Sequence, residues 1–458
     1  MMPFSYDEFW ERAARIANAS NHSNHLAQQQ QACPKVFVYN LSAPLSDMEP
    51  VSTLTIDSVF GESAGFGGQV RYTQEFSLAR ILLFRLMHSR SCRTDDPQKA
   101  ELFLAPILPK PKTHKKWSTA CKLFGEAEVR AALPHLTSHT ACRHFFVVSK
   151  GHNVAYNCLW WSQPNRSSLF SHALRVAYSF GMPERGGTYN ATYPNLFSVP
   201  YPSAVHWARP DSRAGRTTRP GSAQGAARSN LMLFVGSSSH GDLPVRRRLE
   251  EQCRSYKDER VCRLVSCNAR TCNMRSGGMS SFLTLKANVT FCLEPGGDSP
   301  FRKSLSDSIA FGCIPVLFSN LTDAVAPWFW GSWKDRARVL VPRDDFISGR
   351  IDLRALLSSL PPALLHRLQR TLAHHRRNFQ YGLDDEPGDA TRILLSGVRD
   401  QAARGCAEAR RSLRQPRAVP SPKPGLLQHG RPAQAAHKPK VEQHEPSHER
   451  LRVRLALG

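Results

Sequence analysis

Long hydrophobic runs are missing from this chain of 458 residues, so no segment reads as a bilayer-spanning helix, which needs about 18 consecutive apolar residues. The first twenty residues, MMPFSYDEFWERAARIANAS, are polar and aromatic and lack the apolar stretch of a signal peptide. No Cys-x-x-Cys pair occurs, which removes the paired hooks that most zinc sites use. No Asp-x-Asp occurs either, since Asp95–Asp96 and Asp344–Asp345 are adjacent pairs, so the usual carboxylate bridge from a metal to a diphosphate is absent. Zinc-finger, RNP and helix-turn-helix patterns are lacking too.

What is present is positive charge, a net +24. Half of it lies in two segments rich in Pro, Gly, Ala and Ser: residues 205–230 carry +4 and residues 401–458 carry +8. Such segments bury too little apolar surface to order themselves and are expected to be a linker and a disordered tail. No aromatic residue interleaves with the basic residues of the tail. A nucleic-acid-associated protein is therefore an alternative without a motif, and no specific nucleic-acid partner is expected. Attraction to anionic lipid or acidic glycan is equally compatible with the charge.

Two signals point to an oxidising compartment. Of fifteen Asn residues, seven open an Asn-x-Ser/Thr sequon (Asn18, Asn21, Asn40, Asn165, Asn190, Asn288 and Asn320), where chance gives about two. Glycans are expected chiefly at Asn40, Asn165, Asn190, Asn288 and Asn320. Twelve cysteines are many for a cytosolic enzyme, and four crowd together as Cys253, Cys262, Cys267 and Cys272. Two local disulfides among these four are expected, with the connectivity open.

Apolar patterning gives short strands alternating with helices. Strands are expected at Val36–Tyr39, Leu102–Ala105, His144–Ser149, Leu231–Val235, Thr290–Leu293 and Ile314–Phe318. Helices are expected near 73–89, at Pro97 after Asp95 or Asp96, and at Val245–Tyr256, Met279–Ala287, Phe301–Phe311, 352–359 and 361–381. Wholly apolar strands separated by helices describe parallel sheets covered on both faces. The expected organisation is a disordered stem over 1–32, an α/β domain over 33–204, a basic linker over 205–229, a second α/β domain over 230–400 and a disordered tail over 401–458.

The chemistry concentrates in TFCLEPGGDSPFRKSLSDSIAFGCIPVLF, residues 290–318. A strand runs through Gly296–Gly297 and Asp298–Ser299 into a helix, whose start offers N–H groups to an anion. Arg302 and Lys303 in the first turn add charge-assisted donors for a diphosphate. Asp307 is placed to accept hydrogen bonds from a ribose diol. The plainer alternative is an N-capped helix with an ordinary Lys303–Asp307 surface pair. Two cations at a helix start oppose its dipole, a conflict that a bound anion relieves.

The same segment resembles the FCLxPxGDSxxRRSxFDSILAGCIPVFF block of exostosin-type glycosyltransferases, in their plant xyloglucan galactosyltransferase-like branch. VFVYNL, the stretch YTQEFSLARILLFRLMHSRSCRTDDPQKAELFLAPIL, HFFVVSKGHN, VPYPSAVHW and VRRRLEEQC extend the likeness over about 33–395. The resemblance implies a GT-B architecture, two Rossmann-like domains facing across a cleft, and inverting transfer from a UDP-sugar, of galactose or a related sugar, to a polysaccharide or glycoprotein glycan. It implies a donor site formed by Gly236, Gly296, Gly297, Asp298, Ser299, Arg302, Lys303, Ser304 and Asp307, with Arg246 neutralising the departing UDP. It also implies attachment to the Golgi membrane through an anchor missing from this chain, and a lumenal catalytic domain. Ser304 stands where many relatives carry Arg. Ser306 stands where an aromatic residue is usual, which is expected to leave Asp307 less well buried. With cations to meet the diphosphate, no cofactor or metal is required. The general base is unassigned among His152, His144, Glu62 and Glu75, with His144 more readily structural. A catalytically inactive glycan-binding relative is the competing reading.

Overall fold

A computed structural model describes residues 5–19, 32–41, 54–65, 68–89, 91–106, 126–148, 168–178, 195–209, 228–237, 241–266, 283, 285–297 and 299–414. The side chains of residues 16–19, 410 and 412–414 are excepted. His152, Asp298, Cys267, Cys272, Asn21, Asn165 and Asn190 lie outside the described residues, as does most of the 205–229 linker. Residues 1–413 form one compact unit.

The strands in chain order are β1 (Val36–Val38), β2 (Ser63–Gly65), β3 (Val70–Arg71), β4 (Arg93–Thr94), β5 (Leu102–Leu104), β6 (His144–Val148), β7 (Leu174–Ala177), β8 (Leu196–Ser198), β9 (Asn230–Gly236), β10 (Cys262–Ser266), β11 (Val289–Glu294), β12 (Ile314–Leu317) and β13 (Val339–Leu340). They form a parallel sheet ordered β4-β1-β5-β6-β7-β8, a second parallel sheet ordered β10-β9-β11-β12-β13, and the small β2-β3 hairpin. Apolar strands such as Leu102–Leu104 and Ile314–Leu317, buried along their whole length, sit inside these sheets. Two Rossmann-like α/β halves result, the two-sheet plan expected from the sequence.

The helices that matter here are α1 (Tyr6–Ala19), α2 (Leu78–His88), α3 (Leu243–Ser255), α4 (Lys303–Phe311), α5 (Pro362–His375) and α6 (Ala390–Arg414). Helix α2 starts at Leu78 and not at 73 because Thr73 is buried and its hydroxyl is engaged with Phe60 O and His206 Nε2. No helix forms at Pro97: Asp96 Oδ1 accepts from Gln98 N, and the Lys99 amide donates to Asp96 O, so the segment closes as a turn that feeds β5.

Both ends of the compact unit cross to the opposite half. The expected stem contains α1, whose Trp10 is 4% exposed and donates from Nε1 to Leu356 O and Ser359 Oγ, each at 3.1 Å. The expected tail begins as a continuation of α6, which packs Leu394, Leu395 and Val398 into the main core and joins Cys406 to Cys142 by a disulfide. Between them a buried polar seam links the halves. Arg85 of α2 donates to Asp389 Oδ2 at 2.5 Å and Gly382 O at 2.7 Å, and Asp385 accepts from Ser89, Ser91 and Arg392.

Further disulfides join Cys33 to Cys92, Cys253 to Cys262 and Cys292 to Cys313, and no free cysteine remains among the described residues. One local pair of the four-cysteine cluster is thus present. The other three bridges are longer-range links that spacing did not reveal. No described helix is long and apolar enough to cross a membrane. Asn40, Asn288 and Asn320 are exposed, and Asn18 lies on α1.

Candidate functional site

The chain runs from β9 outward to β10, then returns to the other side of β9 as β11. That reversal makes the carboxyl ends of β9 and β11 a topological switch point, where parallel sheets open a crevice. The loop after β9 ends at Asp242, next to the start of α3, and the loop after β11 holds Gly296 and Gly297. Arg246, in the first turns of α3, joins the two loops. Its Nη1 donates to Ser237 O at 2.7 Å, its Nε donates to Gly296 O at 3.0 Å, and its Nη2 donates to the same carbonyl.

The glycines are needed for this convergence. Gly241 has φ +91°, and a Cβ there would lie 2.7 Å from Arg246 Nε and 2.8 Å from Gly297 Cα. A Cβ on Gly297 would lie 2.7 Å from Arg302 Cδ, and one on Gly236 would lie 2.8 Å from Arg246 Nη1. Gly296 and Gly297 are themselves buried, and the Gly297 amide donates to Ser299 O. The side chains of Arg246 and Arg302 therefore lie directly against the glycine backbone of this corner.

Helix α4 begins at Lys303, with Arg302 as its extended N-cap residue, so Arg302 sits just outside the first turn. Several side chains expected to face a donor are engaged within the protein. Ser299 Oγ donates to Phe301 O at 2.8 Å. Ser304 Oγ donates to Glu294 Oε1 at 3.0 Å, in a buried cluster where the same oxygen accepts from Lys286 Nζ at 3.1 Å and Ser308 Oγ at 2.6 Å. Glu294 and Lys286 were not singled out from the sequence, although a Glu closing an apolar strand just before Pro-Gly-Gly is a visible oddity.

Asp307 is also redirected. It is only 6% exposed, so Ser306 does not leave it open as expected: residues of the N-terminal half cover it. Lys303 Nζ donates to both carboxylate oxygens at 3.0 Å, and the Ala204 amide donates to Oδ1 at 2.6 Å. The carboxylate ties the two halves together rather than standing open to a ribose diol. The expected surface pair is a buried one within α4, and it is the Ala204 amide that reaches across from the other half.

A line of rings leads from this corner into the N-terminal half. Phe301 meets Tyr201 edge-on at 5.8 Å, and Tyr201 stacks on Tyr178 at 4.1 Å, just past the carboxyl end of β7. Burial holds the Tyr178 phenol well above its ordinary pKa, with Glu75 contributing further. Glu75 is half-buried, whereas Glu62 is exposed beside the β2-β3 hairpin.

Two buried histidines are structural. His144 donates from Nδ1 to Thr140 O at 2.8 Å, accepts from the Tyr39 hydroxyl at 2.7 Å and stacks on Phe103. Burial lowers its pKa to about 4. His206, missed in the sequence, donates from Nδ1 to Tyr381 O and meets Thr73 Oγ1 through Nε2. Its pKa falls to about 3 through burial, with Lys303 and Arg71 adding to the effect. Both rings are neutral at physiological pH.

The structure therefore defines a class, an α/β protein of two Rossmann-like halves with Arg246 bridging the loops at the switch point of the second sheet. Residues 30–325 match the model of the exostosin GT47 domain, and the chain belongs to that family. It is 27% identical over 287 residues to a probable xyloglucan galactosyltransferase, GT19, of Arabidopsis thaliana, covering 53% of this chain and 62% of that protein. A second Arabidopsis thaliana protein, xyloglucan-specific galacturonosyltransferase 1, is 30% identical over 168 residues, covering 36% of this chain and 24% of its own length. Less than two thirds of each of these relatives is thus spanned. Among solved structures, AviGT4, a glycosyltransferase involved in avilamycin A biosynthesis, is 11% identical with a TM-score of 0.33, covering 82% of this chain and 98% of that one.

Proposed function

We propose that this chain is an inverting glycosyltransferase that moves galactose or a related sugar from a UDP-sugar to a polysaccharide or glycoprotein glycan. One observation carries the reading: Arg246 spans the carboxyl-end loops of β9 and β11, with Arg302 at the adjoining helix start, in a chain of the exostosin GT47 family. The acceptor hydroxyl oxygen attacks the anomeric carbon, the bond from that carbon to the diphosphate breaks, and the acceptor proton passes to a base. Arg246, Arg302 and the positive start of α4 offset the charge that develops on the departing UDP, in a step that needs no metal. Glu75, half-buried and felt electrostatically by the Tyr178 phenol, is the preferred general base among the described candidates. Disulfides and exposed sequons support a lumenal setting in the Golgi.

UDP release from UDP-galactose, measured with a panel of oligosaccharide acceptors, tests the reading. Arg246→Ala should lower kcat about 100-fold, the scale for removing one donor to developing charge. Unchanged turnover would refute the site. The engagement of Lys303, Ser304 and Asp307 within the protein favours a second reading, an inactive glycan-binding relative. Glycan binding without detectable UDP binding by calorimetry would support it.

A further inference from the structure

A crevice of about 790 Å³ opens between α1 and the outer edge of the second sheet, a volume in the range of pockets that bury a small ligand. Phe9 and Ala13 of α1 and Leu364 and Leu368 of α5 give it an apolar wall. Strand β13 forms the facing wall. The Val341 amide donates to Leu317 O at 2.8 Å, so Val339 and Val341 turn their backbone groups toward β12. Those of Leu340 point the other way, to the open side of the last strand in the sheet, where Leu340 lines the crevice. Beyond β13 the Asp344 carboxylate stands at the rim, its side chain 94% exposed.

Asn320 lines the same crevice and is exposed. It opens the sequon Asn320–Leu321–Thr322, just after β12. Thr322 is only 1% exposed, and its hydroxyl has no hydrogen-bond partner among the described residues. A buried hydroxyl left without a partner costs about 1–3 kcal/mol, so valine, of nearly the same shape, would serve the fold at 322 as well or better. What the hydroxyl does supply is the third position of the sequon, which makes Asn320 an acceptor for an N-linked glycan.

We propose that Asn320 carries a glycan whose first sugars fold back into this crevice, covering the open edge of β13 and pinning α1 against it. The modification rests on the proposed lumenal setting. There the Asn320 side-chain nitrogen takes an oligosaccharide from a lipid diphosphate donor. A bond forms from that nitrogen to the anomeric carbon, the bond from that carbon to the diphosphate oxygen breaks, and one amide proton leaves. The seat matches the chemistry of a sugar chain. The C–H faces of its rings meet the apolar wall, while its hydroxyl and acetamido groups meet the Leu340 backbone and Asp344. Filled in this way, the edge is closed to the strand addition that a bare edge invites.

The test uses the full chain, directed into a eukaryotic secretory pathway by an added leader. Peptide mass mapping should find Asn320 glycosylated in the wild type and in Thr322→Ser, which keeps the sequon, and bare in Thr322→Val and Asn320→Gln. An unglycosylated Asn320 beside a glycosylated Asn40 or Asn288 would overturn the proposal and leave the lumenal setting intact. Absence of glycan from all three would sink both. Hydrogen exchange then reads the seat. The Leu340 amide and the amides of α1 should exchange about tenfold faster in Thr322→Val and Asn320→Gln than in Thr322→Ser. Equal exchange in the glycosylated and bare chains would mean that the glycan points into solvent, and would refute the seat.

Discussion

Asp385 offers a quantitative test of the seam between the halves. Burial alone would raise its carboxyl pKa, but the hydroxyls of Ser89 and Ser91 and the Arg392 guanidinium outweigh burial and hold it at about 2, from an ordinary 3.8. Arg85 Nη2 adds a contact at 3.2 Å, and the side chain is 25% exposed. At 1.36 kcal/mol per unit, the difference is worth about 2 kcal/mol to the folded state. Because the folded-state value is the depressed one, that contribution is full above the unfolded value and is lost as pH falls toward about 2. Asp385→Asn removes the charge at every pH. Urea unfolding followed by tryptophan fluorescence should show the variant about 2 kcal/mol less stable at pH 7. The gap should hold down to about pH 5, narrow below about pH 4 and nearly close near pH 2. A gap that stays constant through the acid range would refute the reasoning, because the loss would then come from packing and not from the ionised carboxylate.

Three further outcomes are expected. Asp307→Asn strands the Lys303 ammonium, 11% exposed, and should cost about 3 kcal/mol of stability; an unchanged melting temperature with a raised KM for the UDP-sugar would return Asp307 to ribose binding. Cys406→Ser opens a link across 264 residues, which the chain-entropy account values at about 5 kcal/mol, and a change under 1 kcal/mol in urea unfolding would show that the C-terminal helix docks without it. Trp10→Ala should cost about 3–5 kcal/mol and expose the N-terminal helix to limited proteolysis, whereas an unaltered digestion pattern would mean that the helix contributes nothing to the core.

Six of the eleven strands in the two parallel sheets were legible because short apolar runs such as LMLFV and HFFVV have to be buried on both faces, whereas β4, β7, β8, β10 and β13 were not read from the sequence. The GGDSPFRKS segment announced itself because glycines, cations and a helix start rarely coincide without a reason. His144 could be set aside as structural because it opens a buried strand. Within the expected stem, the helix Tyr6–Ala19 was not legible: Phe9, Trp10 and Ala13 form an apolar stripe too short to read beside a Gln run, and the surface it covers lies more than 300 residues away. The tail over 401–458 was misread at its start for the same reason, since Cys406 finds its partner at Cys142.

By itself the sequence determined the most apolar strands, several of the amphipathic helices, how charge is distributed and where glycines, cations and a helix start coincide, because these follow from local periodicity and residue chemistry. Tertiary structure alone decided which groups are already engaged. Asp307 looks open to a ligand until Ala204, 103 residues earlier, brings its amide to 2.6 Å. Whether a polar group serves a ligand or the fold depends on what lies within about 3 Å of it, and that is set by long-range chain crossings that no local pattern records.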